Sequence, residues 1–164
     1  DWTIYGAQAL GQEGVDKRID VIATAIKGNL TIYDLQEIEV AYAPPYNAAK
    51  DPVNILGYVA ENMLNDDVRL VNYDELDEYL AAENGILIDV RTKTEFENGA
   101  IPNAIHMDVD TLRENLDFFD KNKKYVIYCQ IGLRGYLAQR ILRNNDIDSV
   151  NLNGGYGLWK PVNS

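Results

Sequence analysis

The stretch YVIYCQIGLRGYLAQRIL, residues 125–142, decides the fold class. It begins with an apolar run of strand length that ends in Cys129, and a glycine-containing turn then leads into a helical pattern. The apolar stripe predicted for this helix consists of Leu133, Leu137 and Ile141. A strand that turns directly into a helix is typical of parallel sheets covered by helices, in which ligands bind at this junction. Cys129 is therefore predicted to lie at a ligand-binding position.

Further apolar runs on both sides of this stretch extend the pattern. They alternate with helical segments, which predicts an α/β domain with a five-stranded parallel sheet flanked by helices. The predicted strands are VRLV (68–71), ILIDV (86–90), AIHM (104–107), YVIYC (125–129) and SVNL (149–152). The predicted helices run from the capping pattern of Asn72 and Glu75 to about Asn84, over Thr92–Asn98, over Val109–Phe118 and through the stripe after Cys129.

The first 65 residues do not show this regular alternation of strands and helices, and we expect a smaller α+β unit there. Its predicted elements are a strand-like start from Trp2 to Leu10, a helix over Val15–Lys27, a short segment over 31–37 and a helix from Pro52 to about Leu64. Asp51 supports the last helix because it places a capping side chain before a proline at the first helical position. The acidic pair Asp66–Asp67 marks the predicted boundary between domains 1–65 and 68–164.

The composition argues against several classes of partner. Fifteen basic and 26 acidic residues give a net charge of -11, which repels nucleic acid and anionic membrane surfaces. No apolar run approaches the roughly 20 residues that span a bilayer, and the opening DWTIYGAQALGQEG lacks the layout of a signal peptide. We therefore expect a cytoplasmic protein without nucleic-acid or membrane partners.

Cys129 is the single cysteine of the chain. This count excludes an internal disulfide and a cysteine-rich zinc site, and we expect no metal. Sulfur chemistry at Cys129 has no second thiol in the chain, so it needs an outside thiol acceptor.

The turn after Cys129 predicts an anion site. The loop consists of Gln130, Ile131, Gly132, Leu133, Arg134 and Gly135. Its two glycines allow backbone N–H groups to point inward, the following helix directs its positive end at the sulfur, and Arg134 adds a fixed charge. These features favour a thiolate or persulfide anion. The alternative is that Cys129 is a buried small hydrophobe, but such a turn is costly for a purely structural role.

The segment 121–145 is basic and contains no acidic residue. Its cations are Lys121, Lys123, Lys124, Arg134, Arg140 and Arg143. The lysines begin the strand at the end opposite Cys129, and Arg140 lies roughly two turns into the helix. We interpret all but Arg134 as a solvated basic face; the alternative is that some of them steer an anionic donor such as a CoA derivative.

Three stretches of the second domain resemble the rhodanese family. ILIDVRTKTEFENGAIPNAIHM (86–107) resembles its first signature, and CQIGLRG (129–135) with VNLNGGYGLW (150–159) resembles the active loop and second signature. The resemblance covers 68–164 and implies that Cys129 bears a transient persulfide, with Arg134 as the loop cation. The positions that it assigns to shaping the fold and bracing the site are Asp89, Arg91, Glu95, Gly99 and His106. For His106 we favour a structural role over the alternative of a catalytic one, because it follows an apolar strand and has no carboxylate at a motif spacing. Gly154, Gly155 and Trp159 are interpreted as turn and core.

A cysteine phosphatase of the related type is the nearest competing enzyme. Loops of that type are one residue longer than this one, in which four residues separate Cys129 from Arg134, and they usually have a histidine where Tyr128 stands. The shorter loop makes a smaller cradle, which suits a sulfur atom better than a tetrahedral phosphate.

The run YAPPYNAAKDPVNILGYVA, residues 42–60, resembles the end of the dimerisation domain of pyridine nucleotide-disulfide oxidoreductases, in their CoA-disulfide reductase and NADH oxidase branch. The resemblance implies that residues 1–65 are part of such a domain and that the parent protein is a homodimer using FAD, NAD(P)H and CoA. It also implies that Tyr42 contacts the partner's redox site, although Tyr42 can equally be a packing residue. The chain has no Gly-x-Gly-x-x-Gly fingerprint and lacks the redox cysteine of that family, so we expect no cofactor in this fragment.

Together the two resemblances imply rhodanese-type sulfur transfer through a Cys129 persulfide, as part of a FAD-dependent CoA-disulfide or CoA-persulfide reductase. The partners would be a sulfur donor and a thiol acceptor, with CoA persulfide or the parent's reductase site as candidates. The alternative is a non-catalytic regulatory or interaction module of that reductase, which would not need Cys129 and Arg134.

Overall fold

The computed structural model describes residues 2–45 and 47–163. The chain divides into two compact units, one ending at Asp66 and the other beginning at Asp67. The division falls within the acidic pair that the sequence marks. Position 46 of the 42–60 run lies outside the described residues.

The first unit consists mainly of helices. They are α1 (Val15–Lys27), α2 (Ile32–Glu37) and α3 (Pro52–Leu64). The side chains of Thr31 and Asp51 accept hydrogen bonds from backbone N–H groups at the start of α2 and α3, which explains why these helices begin there. The helices predicted over 15–27 and from Pro52 to Leu64 are confirmed. Their small shared core consists of Ile22, Ala25, Leu35 and Val53.

The strand-like start from Trp2 to Leu10 is realised only as an isolated antiparallel bridge between Thr3 and Thr31. The prediction of a longer strand was wrong because Thr31 is the N-cap of α2, so the partner segment turns into a helix after a single pair. Leu10 is consequently exposed.

The second unit contains the predicted five-stranded parallel sheet. Its strands are β1 (Leu70–Val71), β2 (Ile86–Asp89), β3 (Ile105–His106), β4 (Tyr125–Tyr128) and β5 (Ser149–Leu152). The spatial order is β1-β5-β4-β2-β3, with every pair parallel. All four residues of β4 are buried, as expected for a central strand covered on both faces. The predicted α/β fold is confirmed.

Helices cover both faces of this sheet. They are α4 (Leu76–Ala82), α5 (Lys93–Glu97), α6 (Leu133–Arg143) and α7 (Gly155–Val162), with a 3₁₀ segment over Leu112–Phe118. Two apolar clusters lie against the sheet, one including Ile127 and Leu142 and the other including Val126 and Leu152. Neighbouring strand residues fall into different clusters because side chains alternate between the faces of a sheet.

Two helix predictions in this unit were wrong in detail. The segment predicted as a helix over Val109–Phe118 forms only a kinked 3₁₀ segment, with non-helical dihedral angles at Asn115. The Asn115 side-chain amide donates to the Thr111 carbonyl at 2.9 Å, where a helical N–H would bond. The predicted stripe on α6 is buried only at Ile141, whereas Leu133 and Leu137 are exposed.

Candidate active site at the end of strand β4

Cys129 directly follows β4, at the point where the connections of the sheet diverge. The chain runs from β2 through α5 to β3 on one side, and from β4 through α6 to β5 on the other. Adjacent strands whose connections leave in opposite directions create a crevice at their carboxyl ends. The fold therefore brings the beginning of α5 and the beginning of α6 together beside Cys129.

The Cys129 sulfur is enclosed by its own loop. The residue is only 1% exposed, and the backbone N–H of Gly132 donates to Sγ at 3.1 Å. Gly132 has φ 127, a conformation that side chains disfavour, so the turn that aims this N–H requires glycine. Helix α6 begins at the next residue, which places the positive end of its dipole at the sulfur.

Arg134 is held by a carboxylate from across the crevice. Its two terminal nitrogens donate to the two carboxylate oxygens of Glu95, each at 2.7 Å, in a fork-to-fork pair. The bonds from Arg134 lower the pKa of Glu95 to about 2 against the opposing effect of burial, with further help from Thr92. The same pair raises the pKa of Arg134, and the nearby Cys129 side chain adds to this effect.

Glu95 also takes part in the N-terminal cap of α5. Its Oε2 accepts from the Thr92 backbone N–H at 3.0 Å and from the Thr92 hydroxyl at 2.9 Å, which completes a capping box. The Glu95 carboxylate thus caps α5 and binds Arg134 at the same time. The position of Arg134 is therefore tied to the backbone of α5.

The beginning of α7 holds the loop backbone. The Tyr156 N–H donates to the Cys129 carbonyl and the Gly157 N–H donates to the Gln130 carbonyl, both at 2.8 Å. A Cβ on Gly155 would lie 2.4 Å from the Cys129 carbonyl oxygen, and Gly155 has φ 57. This glycine is therefore required by both close approach and backbone conformation.

Asn151 supports the turn from β5. Its side-chain amide donates to the Gly132 carbonyl at 3.2 Å, and a Cβ on Gly135 would lie 2.1 Å from its Oδ1. Gly135 thus allows α6 to pack closely on the sheet. Asn151 is buried, and its place in a short strand gave no motif by which the sequence could have singled it out.

A buried ion pair braces the loop from β2. Arg91 is 2% exposed, and its Nη2 donates to Asp89 at 2.7 Å and to the Gly99 carbonyl at 2.7 Å. Its Nη1 donates to the Gln130 side chain at 3.3 Å, and the guanidinium lies 4.1 Å from the centroid of the Tyr156 ring. Arg91 therefore connects β2, the loop and α7.

His106 and Tyr128 have structural surroundings. The His106 Nε2 is 2.8 Å from the Arg91 carbonyl oxygen, and its ring lies 5.0 Å from that of Phe96. The Tyr128 hydroxyl accepts from the Ile101 N–H at 3.1 Å. Burial, and then the bond to Asp89, raises the pKa of Tyr128. These contacts favour the structural interpretation of His106.

Of the predicted loop residues, Gly132 donates to the Cys129 sulfur, whereas Gln130, Arg134 and Gly135 contact Arg91, Glu95 and Asn151 as described above. Ile131 and Leu133 are instead largely exposed at the rim. Tyr42 belongs to the first unit, where it is exposed and lines an open cleft of about 990 Å³ together with Arg18 and Asp51.

Most of the other cations in the basic segment are paired with carboxylates outside it. Lys121 pairs with Asp146 at 3.3 Å, and Lys124 and Arg140 pair with Asp148 and Asp67. These pairs lie away from the cysteine loop and favour a solvated face over the steering of an anionic donor.

The residues at 2–45 and 47–163 contain no cluster of three or more side chains that could hold a metal ion. Across the same ranges, no helix has the length and apolar character needed to cross a membrane.

Comparisons with known proteins agree with this geometry. The family model of the rhodanese-like domain matches residues 72–161. A rhodanese-like domain protein from Staphylococcus aureus is 38% identical, with a TM-score of 0.53 over 56% of this chain and 91% of the other.

Two longer solved structures match nearly the whole chain. The reduced CoADR-RHD of Bacillus anthracis is 45% identical with a TM-score of 0.88, over 93% of this chain and 27% of that one. The NAD-dependent persulfide reductase from A. fulgidus is 37% identical with a TM-score of 0.80, over 91% of this chain and 26% of the other.

A curated relative matches a shorter segment. The coenzyme A disulfide reductase of Staphylococcus aureus strain RF122 is 55% identical over 58 residues, which are 35% of this chain and 13% of that protein. The chain thus spans only a fraction of the length of these reductases. Because the family model covers more than half of the residues and the fold agrees with it, the chain belongs to the rhodanese-like domain family, and it joins this domain to a segment homologous to coenzyme A disulfide reductases.

Proposed function

We propose that the second unit is a sulfurtransferase in which Cys129 carries sulfur as a transient persulfide. The observation that carries this proposal is the hydrogen bond of 3.1 Å from the Gly132 N–H to Sγ at the beginning of α6. A backbone donor and a helix N-terminus aimed at a sulfur stabilise negative charge there. A thiolate in this position is ready to act as a nucleophile.

The proposed reaction has two symmetrical steps. The Cys129 thiolate attacks the outer sulfur of a donor R–S–SH, the donor's S–S bond breaks, and the thiolate R–S⁻ leaves while Cys129 becomes a persulfide. An acceptor thiolate then attacks the outer sulfur of Cys129–S–SH, and the Cys129 thiolate is restored. No net oxidation occurs, because one sulfur atom moves between thiolates.

We further propose that this unit serves a longer FAD-dependent CoA-disulfide or CoA-persulfide reductase. The homology to coenzyme A disulfide reductases supports CoA persulfide as donor, with the parent's reductase site as acceptor. Homodimerisation of the parent and contact of Tyr42 with the partner's redox site belong to the same proposal. FAD and NAD(P)H would be bound outside this chain, whose sequence lacks their glycine fingerprint, so no step here passes through them.

The test is a turnover assay with CoA persulfide as donor and dithiothreitol as acceptor, in which released sulfide is measured. Cys129→Ser should reduce the rate to that of the protein-free mixture, because the serine hydroxyl cannot form the persulfide. Unchanged turnover in this variant would refute the proposal.

Two other functions predict different results. A non-catalytic interaction module would give no turnover in the wild type. A phosphatase would hydrolyse an aryl phosphate through Cys129, but Glu95 already occupies the Arg134 fork that would bind the phosphate oxygens. We therefore expect no phosphatase activity.

A further inference from the structure

Arg134 already forms an ion pair with Glu95 in the absence of a sulfur donor. Both terminal nitrogens of its fork are bound to Glu95, and the carboxylate is fixed in turn by the Thr92 N–H and hydroxyl. A guanidinium whose two terminal nitrogens are bound to a carboxylate presents much less net positive charge to a second anion than an unpaired guanidinium does.

The other arginine beside the loop, Arg91, is also paired with a carboxylate. Arg91 is buried, bonded to Asp89, and reaches the loop only through the neutral side chain of Gln130. Neither of these two arginines therefore offers an unpaired charge to a dianion. The Gly132 N–H and the end of α6 remain, and these suffice for a single negative charge on sulfur.

The rim of the loop is apolar. Ile131 is 73% exposed, Leu133 is 65% exposed, and Leu137 one turn later on α6 is 47% exposed. These three residues lie on the loop and helix that directly follow Cys129, whose own side chain is buried. A donor that approaches the buried sulfur along this loop meets hydrocarbon next to its outer sulfur.

We propose that the Glu95–Arg134 ion pair and the apolar rim restrict the sulfur donor to persulfides carried on an uncharged organic arm, and disfavour the thiosulfate dianion. This inference rests on the proposed function, because it concerns the donor for the same Cys129 persulfide. Glu95 acts here as a positioning residue that determines specificity through Arg134.

Both donors convert Cys129 to a persulfide, but they release different leaving groups. With an organic persulfide, Cys129–S⁻ and R–S–SH give Cys129–S–SH and R–S⁻, so the leaving group carries one charge. With thiosulfate, Cys129–S⁻ and S–SO₃²⁻ give Cys129–S–S⁻ and SO₃²⁻, so a dianion must be held in the crevice and another must leave. The second route depends more strongly on an unpaired cation, and Glu95 offsets the charge of Arg134.

The experiment compares the loading rates of Cys129 from thiosulfate and from N-acetylcysteamine persulfide, followed by mass spectrometry of the intact protein. The persulfide is prepared from the disulfide and hydrosulfide, and hydrosulfide alone is the blank. The variants are Glu95→Gln, Glu95→Gln with Arg134→Ala, and the matched control Glu97→Gln. Glutamine preserves the capping box of α5, and Glu97 forms an exposed pair with Lys93 on the same helix.

Wild type should load faster from the organic persulfide. Glu95→Gln should raise the ratio of the thiosulfate rate to the persulfide rate by about tenfold, the scale of one charge-assisted contact. Adding Arg134→Ala should cancel this gain, and Glu97→Gln should leave the wild-type ratio unchanged. If Glu95 had a purely structural role, its substitution would slow loading from both donors equally and leave the ratio of the two rates unchanged.

The proposal is overturned if wild type prefers thiosulfate, or if the ratio does not move in Glu95→Gln. Failure of the proposed function looks different, because then neither donor loads Cys129 in the wild type although iodoacetamide still alkylates it.

Discussion

At the scale of single residues, the site depends on a few positions where only one residue type fits. Cys129 and the loop glycines were predicted from the sequence because their order after an apolar strand has a direct physical meaning. The partnership of Glu95 with Arg134 could not be predicted, since 39 residues separate them and only the sheet topology brings them together. The role of Asn151 could not be predicted either, because its contacts with Gly132 and Gly135 also depend on the sheet topology.

The close approach of α7 to the loop predicts a specific effect at Gly155. Gly155→Ala should lower the free energy of unfolding by about 2–3 kcal/mol, because the new Cβ meets the Cys129 carbonyl in a backbone conformation unfavourable to alanine. Urea denaturation measures this loss. Gly6→Ala is the control, because a Cβ there meets open space. Equal stability of both variants would contradict the close contact.

The Glu95–Arg134 pair predicts a pH dependence of stability. The pKa of Glu95 is about 2 in the folded protein and 4.5 in its ordinary state, so the pair contributes its full stabilisation above pH 4.5 and loses it as pH falls towards 2. Both side chains are about one-third exposed, which limits the contribution to roughly 0.5–1 kcal/mol.

Thermal melts of wild type and Glu95→Gln at pH 6.5, 4 and 3 measure this effect, as do those of the control Glu97→Gln. The gap in melting temperature between wild type and Glu95→Gln should narrow as the pH decreases. If the difference in melting temperature is constant across this pH range, the charge of the Glu95 carboxylate does not contribute to stability.

At the scale of secondary-structure elements, the fold is more predictable than the site. The five strands were predictable because each is a short apolar run between turn residues. Helix α7 was not, because its sequence GYGLWKPV contains glycine and proline and has low helix propensity. Its first N–H groups bond to the carbonyls of Cys129 and Gln130, so tertiary contacts support this helix where local preference does not.

The buried Arg91 connects these elements, which predicts a large effect of its removal. Arg91→Ala should cost about 3–5 kcal/mol of unfolding free energy, because it leaves the Asp89 carboxylate buried without its partner. The double variant with Asp89→Ala should cost less than the sum of the single variants, since the two residues act as a pair. Additive losses in chemical denaturation would contradict this coupling.

At the scale of the whole molecule, the chain consists of two compact units with separate cores. The first unit depends on Asp51, which is buried, caps α3 and bonds to Arg18 at 3.1 Å. Burial would raise the pKa of Asp51, but hydrogen bonds from Val53, Asn47 and Arg18 outweigh it and lower the pKa. The carboxylate is therefore charged in the folded unit.

This division predicts that damage to the first unit does not stop chemistry in the second. Asp51→Ala should destabilise the first unit by about 2–4 kcal/mol through loss of the cap and the ion pair. Hydrogen exchange should accelerate in α1–α3 and remain unchanged in β4 and α6, and Cys129 should load with sulfur at the wild-type rate. Faster exchange in β4 would contradict the independence of the two cores.

The most direct test of the central claim is peptide mass spectrometry after incubation with CoA persulfide. We predict one added sulfur atom on the peptide that contains Cys129, its removal by dithiothreitol, and no adduct in Cys129→Ser. An unmodified Cys129 in folded protein whose thiol still reacts with iodoacetamide would contradict the persulfide mechanism.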